Sequence, residues 1–201
     1  MLVLSNFNPH SYFVRLGLWA YLSHLYQLLL QSSFDGIEDQ LVCDLGVGCG
    51  VLSVGACLLG AGHVTGFDVD PDALDIASRN FAAFDIDNAD LVLADVVHGC
   101  VPRTGAFDTV LMNPPFGTKH NKGIDLAFVR KGLDLLAPGG SVFSLHKTST
   151  RDHIVRKAKD SWKVDCEVVA QLRYDLPASY KHHKKASVDI DVDFIRFTVD
   201  S

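Results

Sequence analysis

The sequence lacks the excess of basic residues by which a protein binds nucleic acid through bulk charge. Its 18 Lys and Arg face 24 Asp and Glu, for a net charge of −6. Contact with nucleic acid must then come from local patches. Paired cysteines are missing as well. Cys43, Cys49, Cys57, Cys100 and Cys166 make an odd number, and no CxxC occurs. That excludes a disulfide framework and a zinc knuckle, which need short paired spacings. Reduced thiols in a cytosolic or nuclear protein are the expectation. No repeat, linker or low-complexity tract is present. With 21% charged and 48% hydrophobic residues, the chain is neither disordered nor a coiled coil. It also lacks a clean membrane span. Tyr12 to Leu30 is largely apolar, but Arg15, Ser23, His24 and Gln27 interrupt it. Leu18, Leu22, Leu25 and Leu29 recur at helical spacing, which predicts a helix packed on a core within an N-terminal segment, residues 1–36, with a signal anchor as the alternative.

What is present is a strand–helix rhythm over one domain, residues 37–201. Gln40–Leu45, Val64–Asp68, Leu91–Ala94, Phe107–Met112 and Ser141–Leu145 are short apolar runs that predict buried strands. Helices are predicted between them: Gly50 to about Gly60, Asp70 to about Phe84, and Lys122–Ala137 stopped by Pro138-Gly139-Gly140. A fourth follows near Thr150–Asp160. Asp70 is placed to cap its helix, with Pro71 suited to the first helical position. Val164–Arg173 and Val188–Val199 have no helix between them and predict an antiparallel pair. The expected fold is α/β: a mostly parallel seven-stranded sheet closed by a C-terminal antiparallel hairpin. That is the layout of the class I methyltransferase (Rossmann-like) fold.

Two constellations point to a nucleoside cofactor. Asp44-Leu45-Gly46-Val47-Gly48-Cys49-Gly50-Val51 follows a strand and opens a helix, so glycines let a ligand approach the backbone near helix amides. A dinucleotide fingerprint would need glycine where Val51 stands. The pattern GxGxG preceded by an acid is similar instead to the first motif of S-adenosylmethionine-dependent methyltransferases. Asp68 closes the second strand, where a carboxylate can accept from both hydroxyls of a ribose. Asp95 closes the third. It can accept from an adenine amino group, with Val96 offering an amide, or simply cap its own loop.

The third constellation is Asn113-Pro114-Pro115-Phe116, directly after an apolar strand. The prolines fix the backbone. The Asn113 side-chain oxygen and the Pro114 carbonyl can together accept both hydrogens of a planar amino group. This draws the nitrogen lone pair out of conjugation. Phe116 offers a face on which an unstacked base can lie.

The longer context carries a resemblance. Phe107 through Gly123, Ser144-Leu145-His146-Lys147, and Arg173 through Lys185 resemble the methyltransferase-like protein 5 family, as does the chain from about Ile37 to Phe197. The resemblance implies methylation of adenine N6 in small-subunit ribosomal RNA, with S-adenosyl-L-methionine as cofactor and no metal in this chain. It implies a heterodimer with a small zinc-containing methyltransferase activator protein, in nucleus and cytoplasm, with no membrane partner. By resemblance, Asp44, Gly46, Gly48, Cys49, Gly50, Val51, Asp68, Asp95 and Val96 are cofactor positions. Asn113, Pro114, Pro115 and Phe116 form the catalytic target-base site. Lys119, Lys122, Lys181, Lys184 and Lys185 are the expected RNA-phosphate contacts.

The sequence departs from the family in two places. Val47 stands in the usual DLGCGCG block. The Glu-Gln-Tyr-x-Thr segment that closes over the cofactor has no counterpart before Asp44, where Phe13 through Trp19 stand instead. Three other readings compete. A protein-glutamine N5 methyltransferase shares the Asn-Pro-Pro-Phe motif, but the basic segment ending at Lys185 argues against it. A catalytically silent subunit of the same fold rests on the changed N-terminus. A nicotinamide oxidoreductase is opposed by Val51 and by the Asn113 motif.

Overall fold

A computed structural model describes residues 37–99, 105–115, 123–177 and 187–199. The N-terminal segment 1–36, Cys100, Phe116, Lys119, Lys122, Lys181, Lys184 and Lys185 lie outside them. Among the described residues no helix is long and apolar enough to cross a membrane.

Seven strands form one sheet: β1 (Leu41–Leu45), β2 (His63–Asp68), β3 (Ala89–Leu93), β4 (Phe107–Met112), β5 (Leu136–Lys147), β6 (Asp165–Pro177) and β7 (Ser187–Thr198). Their order is β3-β2-β1-β4-β5-β7-β6. The first five run parallel, and β7 joins β5 and β6 antiparallel. This is the predicted class I methyltransferase architecture. Among the described residues four helices cover it: α1 (Val51–Leu58), α2 (Pro71–Ala83), α3 (Ile124–Leu135) and α4 (Arg151–Lys157), the last continued by a π turn through Trp162.

Alternation along each strand sorts the core into two layers. Cys43, Leu45, Val110, Met112 and Val142 pack with Phe128, Val129 and Leu133 of α3 and Ile154 of α4. Val42, Val64, Leu111, Phe143 and Leu145 face the other way, onto Leu52 and Ala56 of α1. Burial on both faces explains why these strands read as continuous apolar runs. Asp70 caps α2 as expected, its Oδ1 accepting from the Asp72 amide at 2.9 Å.

One boundary differs. The helix expected to run to Ala137 stops at Leu135, and β5 begins at once, pairing Leu136 with Phe107. The ladder then jumps, so that the next pair is Thr109 with Ser141. Pro138-Gly139-Gly140 is therefore an irregularity inside the strand rather than a helix stop. Gly140 is needed there because a Cβ would stand 2.7 Å from the Asp108 carbonyl oxygen.

Candidate active site

The order β3-β2-β1-β4 reverses direction between β1 and β4, and ligands of open α/β sheets bind at the strand ends beside such a switch. Leu45 and Met112 are paired across it. The glycine loop leaves the sheet after one, and Asn113 leaves after the other. Two motifs distant in the chain thus open side by side at one edge of the sheet.

The loop after β1 is built on left-handed glycines: φ is +74° at Gly46, +53° at Gly48 and +83° at Gly50. Side chains rarely adopt this geometry. Aromatic rings back two of them. A Cβ would meet Phe128 at 3.1 Å from Gly46 and Phe81 at 2.9 Å from Gly50. Gly48 has no side-chain neighbour, and its nearest contact would be the Gly46 carbonyl at 3.9 Å. The loop is therefore walled at both ends and open at its middle. The Gly46 and Val47 amides both donate to the Phe67 carbonyl, each at 2.9 Å, which ties the loop to β2. Asn80 of α2 donates to the Cys49 carbonyl at 2.8 Å from below. Val51 opens α1, which has no side-chain cap.

Asp44 is 1% exposed. Its Oδ2 accepts from the Ser53 amide at 3.0 Å and the Ser53 hydroxyl at 2.7 Å. Its Oδ1 has no partner among the described residues. Burial pushes the carboxyl from 3.8 up to about 7, against the pull of the Ser53 bonds, and the Asp68 charge adds to the rise. A buried carboxylate oxygen awaiting a donor beside an open glycine loop fits a cationic, nucleoside-bearing cofactor.

Asp68 ends β2 with each oxygen engaged once. Oδ2 accepts from the Gly48 amide at 2.8 Å and Oδ1 from the Asp70 amide at 3.0 Å. Each oxygen keeps a second lone pair for a hydroxyl. Asp95 organises its own turn: Oδ1 accepts from the Val97 and His98 amides at 3.0 and 2.9 Å, and Oδ2 lies 3.1 Å from His98 Nδ1. The His98 amide, with smaller help from Val97 and the His98 ring, holds this carboxyl below its usual value. Of the two uses open to Asp95 in the sequence, the capping one is present. The Val96 side chain is buried in the core beside it.

Asn113 and Pro115 are exposed at the end of β4, with Pro114 buried between them. Sequence reasoning missed the supporting residues Ser53, Asn80 and Phe128. Ser53 carries a legible signal, as a polar residue within an otherwise apolar helix one turn into the loop. Asn80 and Phe128 carry none, because their roles arise only when α2 and α3 fold back on the loop.

Comparison with known proteins agrees with this geometry. The model of the methyltransferase small domain matches residues 25–168. The chain is 58% identical to the rRNA N(6)-adenosine-methyltransferase METTL5 of Danio rerio, over 84% of this chain and 80% of that one. It is 49% identical to the rRNA N(6)-adenosine-methyltransferase Mettl5 of Drosophila melanogaster, over 85% and 79%. Among solved structures, PH1948 of Pyrococcus horikoshii superposes with a TM-score of 0.70 at 30% identity, over 89% of this chain and 81% of that one.

Proposed function

The chain belongs to the family of METTL5 rRNA N(6)-adenosine-methyltransferases, and from that premise we propose that it methylates the N6 amino group of an adenine in small-subunit ribosomal RNA, using S-adenosyl-L-methionine. The observation that carries the reading is the pairing of Leu45 with Met112, which opens the glycine loop and Asn113 beside one another. When bound, the cofactor supplies a methyl group made electrophilic by its sulfonium. Asp68 is suited to hold its ribose, the open Gly48 its close approach, and Asp44 its cationic end. Asp95 and the Val96 amide are assigned to the adenine ring.

Asn113 and the Pro114 carbonyl accept the two amino hydrogens of the target adenine and leave the nitrogen lone pair free. With the cofactor bound, that lone pair would take its methyl group, the thioether would leave, and the surplus amino proton would pass to solvent. No strong base is required, since the nucleophile is neutral and the leaving group is a thioether. The chain's contribution is orientation and exclusion of water. Phe116 is assigned the stacking role. Lys119, Lys122, Lys181, Lys184 and Lys185 are assigned phosphate contacts.

The zinc-containing activator is assigned to the β3 edge. This five-residue strand ends the sheet, and Leu93 at its end and Val69 nearby are 60% and 66% exposed. A strand at the end of the sheet with apolar residues beside it suits strand addition by a partner. The reading places the complex where ribosomal RNA is made and used, in nucleus and cytoplasm.

The test is methyl transfer by the chain co-expressed with its activator. Unmethylated ribosomal RNA and a translation release factor are offered separately, and products are read by mass spectrometry. N6-methyladenosine in the RNA is expected. Methylglutamine in the release factor would replace this reading with the protein-methyltransferase one. A folded complex that modifies neither would point to the silent subunit.

A further inference from the structure

The protein is acidic, so a surface where basic residues collect unopposed needs a reason. From Lys147 to Lys163 there are six Lys and Arg against two Asp, which leaves 12 basic and 22 acidic residues for the rest of the chain. One short stretch is thus net positive in a molecule that is otherwise strongly negative. It comprises the end of β5, the turn Thr148–Thr150, α4 and the π turn that continues it. On α2 and α3 the arginines are spent on neighbours one turn away, Arg79 on Asp75 and Arg130 on Asp134. Arg156, Lys157, Lys159 and Lys163 have no acidic partner among the described residues. Arg156 Nε donates to the Asp152 carbonyl at 3.1 Å, a neutral acceptor that leaves its charge unopposed. A helix dipole favours cations in the last turn, and α4 has Arg156 and Lys157 there. The last turns of α1, α2 and α3 have none, so the dipole by itself does not gather them.

The fold joins this stretch to the candidate site. β4 and β5 run parallel, and Met112 pairs with Ser144, so both strands end at the same edge of the sheet. β5 is buried from Val142 to His146, the last of these 3.5 Å from Asp125 of α3. Lys147 is the first residue of β5 to emerge, at the edge where Asn113 leaves β4. The start of α4 is fixed there: Arg151 donates to the buried Asp193 of β7 at 2.7 and 2.6 Å, and Thr148 donates to it at 2.8 Å. Ile154 and Ala158 then hold the inner side of the helix on the core beside Ile195 and Phe197 of β7. Arg156, Lys159 and Lys163 are exposed. The strand order sets β5 and β7 on the far side of the site from β3, the edge assigned to the activator.

We propose that the exposed face of α4 and its π turn is a docking surface for the phosphate backbone of the RNA that carries the target adenine, on the side of the site opposite the activator. A cation that meets a phosphate releases condensed counterions, and it fixes the position of the strand without reading its sequence. Unopposed charges on a helix tied to the sheet suit that task, because the surface is already in place before RNA arrives. This rests on the adenine-N6 reading above and names the surface that holds its substrate.

The experiment uses the full chain with its activator and unmethylated small-subunit ribosomal RNA. Arg156→Gln combined with Lys159→Gln removes two charges from the patch. Arg79→Gln combined with Arg130→Gln removes two from elsewhere and controls for net charge. Arg156→Lys combined with Lys159→Arg keeps the charge and alters only its shape. RNA affinity is measured without cofactor over a salt series from about 50 to 200 mM, followed by kcat and KM for methyl transfer, cofactor affinity and co-purification with the activator. In the patch variant, RNA affinity at the lowest salt is expected to fall about tenfold, and the slope of log affinity against log salt to become shallower by roughly 1.5, the value for two lost phosphate contacts. KM should rise in step, while kcat at saturating RNA and cofactor affinity stay within about twofold. The charge-matched control and the charge-keeping variant should both bind RNA as the wild type does. An unchanged affinity and salt slope in the patch variant overturns the proposal. An equal loss in the charge-matched control overturns it too, by assigning the effect to net charge. Loss of the activator from the patch variant overturns it in favour of a protein partner on this face. Should the wild type bind RNA but transfer no methyl group to it, the adenine reading falls by itself, and the salt series still decides whether α4 holds the backbone.

Discussion

At the scale of single residues, Asn113 and Asp44 make opposite demands on the protein. Asn113 is exposed, and its proposed bonds are to substrate. Replacing it with alanine is expected to lower methyl transfer by about a hundredfold or more while cofactor affinity, measured by calorimetry, stays within about twofold. Retained activity in that variant would remove the proposed mechanism. Asp44 is buried and titrates near 7. A raised carboxyl pKa means the folded state binds the proton more tightly than the unfolded chain. Asp44 therefore costs stability as pH rises from about 4 to about 7, and the cost is constant above that. A cofactor that brings positive charge to Oδ1 favours the ionised form. Its affinity is then expected to rise about tenfold between pH 6 and pH 8 and to release a proton below pH 7. Calorimetry in two buffers of different ionisation enthalpy measures both. The idea fails if affinity is flat with pH, or if Asp44→Asn shows the same slope. Asp68→Ala is expected to weaken the cofactor at every pH, since its Oδ2 is held by the Gly48 amide at the open loop; equal affinity by calorimetry would end the ribose role. The chemistry of these three residues was legible because each closes a strand ahead of a glycine or proline turn. The partnership of Asp44 with Ser53 was not, since it depends on one turn of α1 folding back over the loop.

At the scale of elements, the strands were read closely and the helix ends less so. Apolar runs mark where a buried strand must lie, because neither face can tolerate a charge. Helix ends are set by caps and by what the next element pairs with. Asp70-Pro71 fixed the start of α2 in advance, and Asp70→Ala is expected to destabilise by about 1 kcal/mol. For a chain of this size that lowers Tm by roughly 2–4 °C, with cofactor affinity unchanged. A Tm within error of the wild type would show that Pro71 alone sets the helix start. The end of α3 was misjudged because Pro138-Gly139-Gly140 looks like a stop signal. The pairing of Leu136 with Phe107 takes the chain into β5 before those residues are reached.

At the scale of the whole molecule, strand order decides which surfaces remain for partners. The sheet ends in β3 on one side and β6 on the other. The thirteen-residue β6 carries an irregularity between Val168 and Ala170 that interrupts its ladder, and such breaks discourage edge pairing. Leu93→Glu on the β3 edge is expected to abolish co-purification with the activator while the chain alone keeps its circular dichroism. An intact complex in that variant would move the interface elsewhere. The sequence by itself determined the class of fold, because alternating strands and helices with both faces apolar leave few arrangements. It also determined the identity of the motif residues, because their chemistry is local: glycines that must turn left, prolines that fix a carbonyl, acids at strand ends. Only the tertiary structure decided that β4 lies beside β1, so that Asn113 opens next to the glycine loop. It also decided that Asp95 caps its own turn, and that His146 reaches across to Asp125. The first and last of those facts depend on contacts between residues far apart in the chain, and one sequence carries no signal for which distant pairs will meet; the Asp95 cap is local, but the sequence allowed a second use for that acid.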